Sequence, residues 1–106
     1  MQTLDFVDFI GILNSEEWSL SSEAKFLFNN YKISPYRHQC SKPEYEDISE
    51  VFLVSKCIKN HCIVYDETRS QFAIAELKGS RSIDSWCLVG TLESALMELE
   101  KYNFVD

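Results

Sequence analysis

The segment that follows Gly90 carries the strongest secondary-structure pattern in the chain. Its apolar residues recur at spacings of three and four, which places them on one face of a helix. They are Leu92, Ala95, Leu96, Leu99 and Tyr102. Thr91 can cap the first free amides, and good helix formers fill most other positions. The sequence therefore predicts a C-terminal amphipathic helix with one face docked on a core.

Two more amphipathic helices are predicted near the N-terminus, over residues 3–14 and 21–31. Asn14-Ser15 should end the first helix, and Ser21 or Ser22 should cap the second. The expected buried stripes are Phe6, Phe9, Ile10 and Leu13 in the first helix, and Ala24, Leu27, Phe28 and Tyr31 in the second.

The middle of the chain is rich in short β-branched and aromatic runs that are typical of strands. The four runs are Val51–Val54, Cys62–Tyr65, Phe72–Leu77 and Trp86–Val89. We predict a single α+β domain over residues 1–106, with two N-terminal helices, a three- to four-stranded antiparallel sheet and a C-terminal helix. Because three helices cannot easily cover both faces of a sheet, we expect one face of the sheet to remain exposed, including the strands around Val64 and Ile74. The predicted core includes the side chains of Val64, Phe72, Ile74 and Leu88.

Two prolines mark residues 32–43 as a loop, because proline lacks a backbone N–H and biases the preceding residue away from the helical region. The following segment, 44–50, is open to two interpretations. It can form a short helix with Pro43 at its first position, or a solvated acidic loop.

Charge is distributed unevenly along the chain. The sequence has 17 carboxylates against 10 Lys plus Arg, for a net charge of −7, and two acidic blocks (residues 1–24 and 44–50) contain no basic residue. Such a field attracts a basic protein and repels nucleic acid and anionic lipid. We therefore expect a basic protein partner, and neither nucleic acid nor membrane.

The N-terminus and the cysteines indicate a cytoplasmic protein. The first residues lack a basic segment, and Asp5 and Asp8 interrupt the only early apolar run, so no secretory signal is predicted. A chain of 106 residues can form its own core, so its four cysteines are not needed as disulfides.

The cysteines and histidines do not form a recognisable catalytic or metal motif. Tetrahedral zinc requires four ligands, and neither His38 with Cys40 nor Cys57 with His61 and Cys62 has a diagnostic spacing. Cys57, Cys62 and Cys87 fit better as small buried apolar residues. Motifs for phosphate binding and for nucleophilic catalysis do not occur either. We expect a binding protein that is not an enzyme and uses no metal or cofactor.

The acidic blocks contain two aromatic residues that suit a binding surface. Trp18 follows two glutamates directly, and Tyr45 stands between two more. Aromatic residues are enriched at the centres of protein interfaces, although the carboxylates alone could be a solvated face. The predicted partner-binding residues are Glu16, Glu17, Trp18, Glu44, Tyr45, Glu46 and Asp47.

The size, the charge, the aromatic-rich N-terminal helices and the ending Trp86-Cys-Leu-Val-Gly-Thr-Leu-Glu-Ser-Ala-Leu resemble immunity proteins of contact-dependent growth inhibition systems in bacteria. The resemblance implies tight binding to one cognate toxin domain, often a basic nuclease, whose active site is blocked. A small enzyme and a DNA-mimicking anti-restriction protein are the alternatives.

Overall fold

The computed structural model describes residues 5–39, 50–78 and 82–103, and these form three helices and a five-stranded antiparallel sheet. The elements are α1 (Phe6–Trp18), α2 (Ser22–Tyr31), β1 (Lys32–Gln39), β2 (Glu50–Ser55), β3 (His61–Asp66), β4 (Gln71–Lys78), β5 (Ser82–Gly90) and α3 (Leu92–Asn103). The strand order in the sheet follows the chain, so the sheet is a meander. The predicted α+β class is confirmed.

The loop predicted over residues 32–43 is wrong for its described part, because Lys32–Gln39 form edge strand β1. Lys32 pairs with Ser55, and regular pairing resumes at Tyr36 with Leu53. Pro35 lies within this irregular stretch at the edge of the sheet, where a missing backbone donor interrupts no regular ladder. The open choice for residues 44–50 lies outside the described residues except at Glu50, which begins β2.

The predicted bounds of two elements also require correction. Helix α1 continues to Trp18 instead of ending at Asn14, and its C-cap is Ser19, whose amide donates to the Glu16 carbonyl. Phe6, a predicted core residue, is 46% exposed at the first position of that helix. Strand β5 begins at Ser82, four residues before the predicted start. By contrast, the predicted Ser21 cap is confirmed by a 3.2 Å hydrogen bond from the Ala24 amide.

Both faces of the sheet are buried, so the predicted exposed face is wrong. One face packs under the helices, where Phe9 stacks on Phe52 with ring centroids 4.1 Å apart. The opposite face holds a second cluster, which we call the inner core: Val51, Leu53, Cys62, Val64, Ala73, Ala75, Leu77, Ile83 and Trp86. Val64 belongs to the inner core and Ile74 to the helix side, and both are buried.

Curling of the sheet encloses the inner core. Register shifts interrupt the β1–β2 and β4–β5 pairings, and such bulges increase strand bend and twist. The two edge strands, β1 and β5, consequently approach within 8 Å between Cα atoms. Ala75 faces Trp86 across the β4–β5 ladder, so a small residue leaves room for the indole inside the curl.

Helix α3 is the centre of the helix layer, since it contacts α1, α2 and strands β3, β4 and β5. Its inner face carries Leu92, Leu96 and Leu99, which are fully buried, as the sequence predicted. The Tyr31 hydroxyl of α2 donates a hydrogen bond to the Glu100 carboxylate of α3. Burial and this hydrogen bond raise the pKa of Tyr31 to about 12. The tyrosine thus stays neutral while it joins the two helices.

A buried carboxylate ends β3. Asp66 is 0% exposed and accepts hydrogen bonds from the Trp86 indole at 3.0 Å, from the Arg69 backbone amide at 3.0 Å and from the Arg69 guanidinium at 3.3 Å. Residues 67–70 form the turn between β3 and β4. Asp66 therefore joins this turn to the inner core.

Candidate protein-binding site

A groove of about 600 Å³ opens between the α1–α2 turn and the first half of α3. Its described lining includes three carboxylates and neither Lys nor Arg, and we call it the acidic groove. The lining residues are Glu16, Ser19, Leu20, Val89, Thr91, Glu93, Ser94, Met97 and Glu98. Apolar side chains and hydroxyl groups among the carboxylates give the groove a mixed character that suits the stem and head of a lysine or arginine.

Two of the three carboxylates are held in place by backbone amides of other elements. The Leu92 amide at the start of α3 donates to Glu16 Oε1 at 3.0 Å, and the Ser21 amide donates to Glu93 Oε1 at 3.0 Å. Each glutamate therefore satisfies a free N–H at the N-terminal end of another helix, where negative charge is favourable. The Oε2 atoms of Glu16 and Glu93 take no part in these two hydrogen bonds.

The third carboxylate, Glu98, lies farther along α3. Its Oε1 accepts from Lys101 Nζ at 2.8 Å, and both side chains are substantially exposed. An exposed pair of this kind is weak, so Glu98 can exchange Lys101 for another cation at small cost.

The three predicted site residues in α1 diverge in the structure. Glu16 enters the acidic groove, whereas Glu17 lies 3.9 Å from Lys32 on the other side of the helix. Trp18 is 84% exposed, and the Lys25 ammonium lies 5.8 Å from its ring centroid. The other predicted residues, Glu44, Tyr45, Glu46 and Asp47, lie outside the described residues. The structure thus joins Glu16 to two glutamates of α3, Glu93 and Glu98, that are not among the predicted site residues.

A second groove runs between α1 and α2, on the side of Trp18 and away from α3. It consists of two adjoining spaces of about 290 and 420 Å³ that share Asn14 and Glu17 in their linings. We call it the lysine groove. Its lining residues are Ile10, Leu13, Asn14, Glu17, Trp18, Lys25, Phe28, Asn29, Lys32, Ile33, Ser34 and Pro35. Its charged residues are two lysines, Lys25 and Lys32, and one carboxylate, Glu17.

The cysteines and histidines are dispersed. Cys62 is buried as predicted, but Cys87 is exposed and Cys57 is only partly buried, because these two lie where the strand ends and edges meet solvent. His61 stacks on Tyr102 with ring centroids 3.8 Å apart, and its Nδ1 lies 3.0 Å from the Lys59 carbonyl. Within the described residues, which exclude Cys40, no three His, Cys, Asp or Glu side chains are grouped to hold a metal.

Among the described residues, none of the helices is both long enough and apolar enough to cross a membrane. Comparison with known proteins adds no assignment: no protein family, curated protein or solved structure matches this chain. The chemistry of the grooves and of the exposed aromatic residues is therefore the basis for a functional proposal.

Proposed function

We propose that this chain is an immunity-type inhibitor that binds a basic toxin domain in the cytoplasm and blocks its active site, without catalysis or a cofactor of its own. The observation that carries the proposal is the acidic groove, which Glu16, Glu93 and Glu98 line together. Trp18 lies outside its lining, one residue before Ser19, and is 84% exposed. The assignment of Glu44, Tyr45, Glu46 and Asp47 to the same interface stays a prediction.

The fixed carboxylates favour a role in recognition. A side chain that is already ordered loses little conformational freedom when a partner binds, so more of the interaction energy appears as affinity. Glu16 and Glu93 meet this condition because a backbone amide of another helix holds each carboxylate. A lysine or arginine of the partner could therefore enter a groove whose negative charges are already in position.

The charge of the groove matches the kind of active site that the proposal names. A nuclease active site must attract phosphates, so its rim carries lysine and arginine. Carboxylates on the inhibitor speed the encounter with such a site, and a desolvated aromatic residue slows dissociation. Trp18 is the aromatic residue proposed for the second role, because it is 84% exposed at the end of α1, although its ring lines the neighbouring groove and not the acidic one.

Charge reversal at Glu98 tests the electrostatic part of the proposal. Glu98→Lys leaves both inter-helix hydrogen bonds intact, and we expect it to slow association with the purified toxin domain encoded by a neighbouring reading frame by about tenfold at low salt. The dependence of the association rate on salt should also become less steep. Stopped-flow mixing over a range of ionic strengths measures both quantities.

Asp8→Lys is the matched control for this experiment. Asp8 is an exposed carboxylate in the first turn of α1, at the opposite end of that helix from Trp18. Asp8→Lys makes the same change in net charge as Glu98→Lys. An equal effect of the two variants on the association rate would show that overall charge, and not the acidic groove, guides the partner.

A further inference from the structure

We infer that the lysine groove is a second docking site, which takes an acidic amphipathic helix of a protein partner. The inference uses a groove separate from the acidic groove and goes beyond the proposed function, although Trp18, which the proposed function also invokes, is part of its lining. It follows from an apolar floor, an exposed tryptophan and two spaced ammonium groups.

The shape of the groove suits a helix. Helices α1 and α2 each pack against α3, and the space between their outer sides is left open. Its apolar floor is formed by the partly exposed Ile10, Ile33 and Pro35, and Trp18 adds a large exposed ring at one end. An amphipathic helix laid in such a groove buries its apolar face against the floor, which is a recurrent mode of peptide recognition.

The charges in the groove specify which helix fits. Lys25 lies in α2 and Lys32 is the residue that caps its C-terminal end, so their backbone positions are about 10 Å apart along the helix axis. Each ammonium lies beside an aromatic ring: Lys25 is 5.8 Å from the centroid of Trp18, and Lys32 is 5.9 Å from that of Phe28. Carboxylates two turns apart on a docked helix match this spacing.

Glu17 is the only carboxylate among the described residues that line the groove, and it lies 3.9 Å from Lys32. Both side chains are well exposed to solvent, so this pair contributes little and an incoming carboxylate can compete with Glu17. A helix also fits better than a nucleic acid, because the net charge of −7 repels a long polyanion while the apolar floor requires an apolar face.

The test uses the isotope-labelled full chain and two synthetic helices of about 15 residues, the length at which isolated helices become stable. Both peptides present one leucine stripe, flanked in the first peptide by glutamates two turns apart and in the second by lysines. We expect the glutamate peptide to shift the NMR signals of the Trp18 indole and of the Asn14 and Asn29 amides. It should bind about tenfold more tightly than the lysine peptide.

The double variant Lys25→Glu, Lys32→Glu should reverse this preference. The matched control is Lys56→Glu, Lys59→Glu. It changes two exposed lysines that do not line the groove, so the preference for the glutamate peptide should remain.

Equal binding of the two peptides, or shifts of NMR signals outside the groove, would overturn the inference, as would the absence of saturable binding at millimolar peptide. Tighter binding of a single-stranded oligonucleotide would assign the lysines to a polyanion instead. No toxin enters this assay, so its failure would leave the proposed function untouched.

Discussion

Replacing Leu96 with alanine is expected to lower the free energy of unfolding by about 2–5 kcal/mol, the usual range for a buried leucine. Leu96 is fully buried on α3, the helix that contacts both other helices and three strands. Its truncation removes apolar contacts and leaves a cavity that surrounding rigid elements cannot fully close. Urea denaturation followed by circular dichroism measures the change.

Met97→Ala provides the matched control for Leu96. Met97 is the next residue on the same helix and is only partly buried, at the edge of the helix-side core. Its truncation changes helix propensity by a similar small amount, so the difference between the two variants reports burial. A loss below about 0.5 kcal/mol for Leu96→Ala would show that α3 is not docked on the sheet.

The second large effect is expected at Asp66. Asp66→Ala should lower the free energy of unfolding by about 3 kcal/mol, because it removes three hydrogen bonds that each contribute on the order of 1 kcal/mol. The near-ultraviolet circular dichroism of Trp86 should change with it, since the indole loses its bond to Asp66.

Asp66→Asn separates charge and hydrogen bonding from volume. The amide has nearly the same size, but it keeps one acceptor oxygen in place of two, so at least one of the donors from Trp86 and Arg69 must lose its bond to this side chain. We expect an intermediate loss of stability. Full stability of both variants would contradict a structural role for this carboxylate in joining the β3–β4 turn to the inner core.

The sequence was sufficient for elements whose pattern is local. The buried stripe of α3, the Ser21 cap of α2 and the three central strands follow from spacing and residue type within a few neighbouring positions. Strand β1 was missed because Pro35 normally argues against a strand, and only the edge position and the register shift make it acceptable. The burial of both sheet faces was missed for a related reason, because curling depends on bulges that have no clear local signature.

The candidate site was only partly predictable for the same reason. Glu16 was selected from its acidic, aromatic neighbourhood, but its bond to the Leu92 amide spans 76 residues and leaves no local trace. Glu93 and Glu98 look like ordinary exposed positions of an amphipathic helix until the fold brings α1 beside α3. The uneven distribution of charge along the sequence likewise does not show that Lys25 lies beside Trp18.

The most direct test of the proposed function is growth of bacteria that express the toxin domain encoded by a neighbouring reading frame together with this chain. We expect the native chain to restore growth and Trp18→Ala to lose protection, since truncation of a central interface tryptophan typically costs about 2 kcal/mol or more. Phe26→Ala is the matched control, because Phe26 is an aromatic residue that is 67% exposed and lines neither groove. Protection by Phe26→Ala but not by Trp18→Ala is the predicted result. Equal protection by both variants would contradict the Trp18 surface, and failure of the native chain to protect would contradict the immunity function itself.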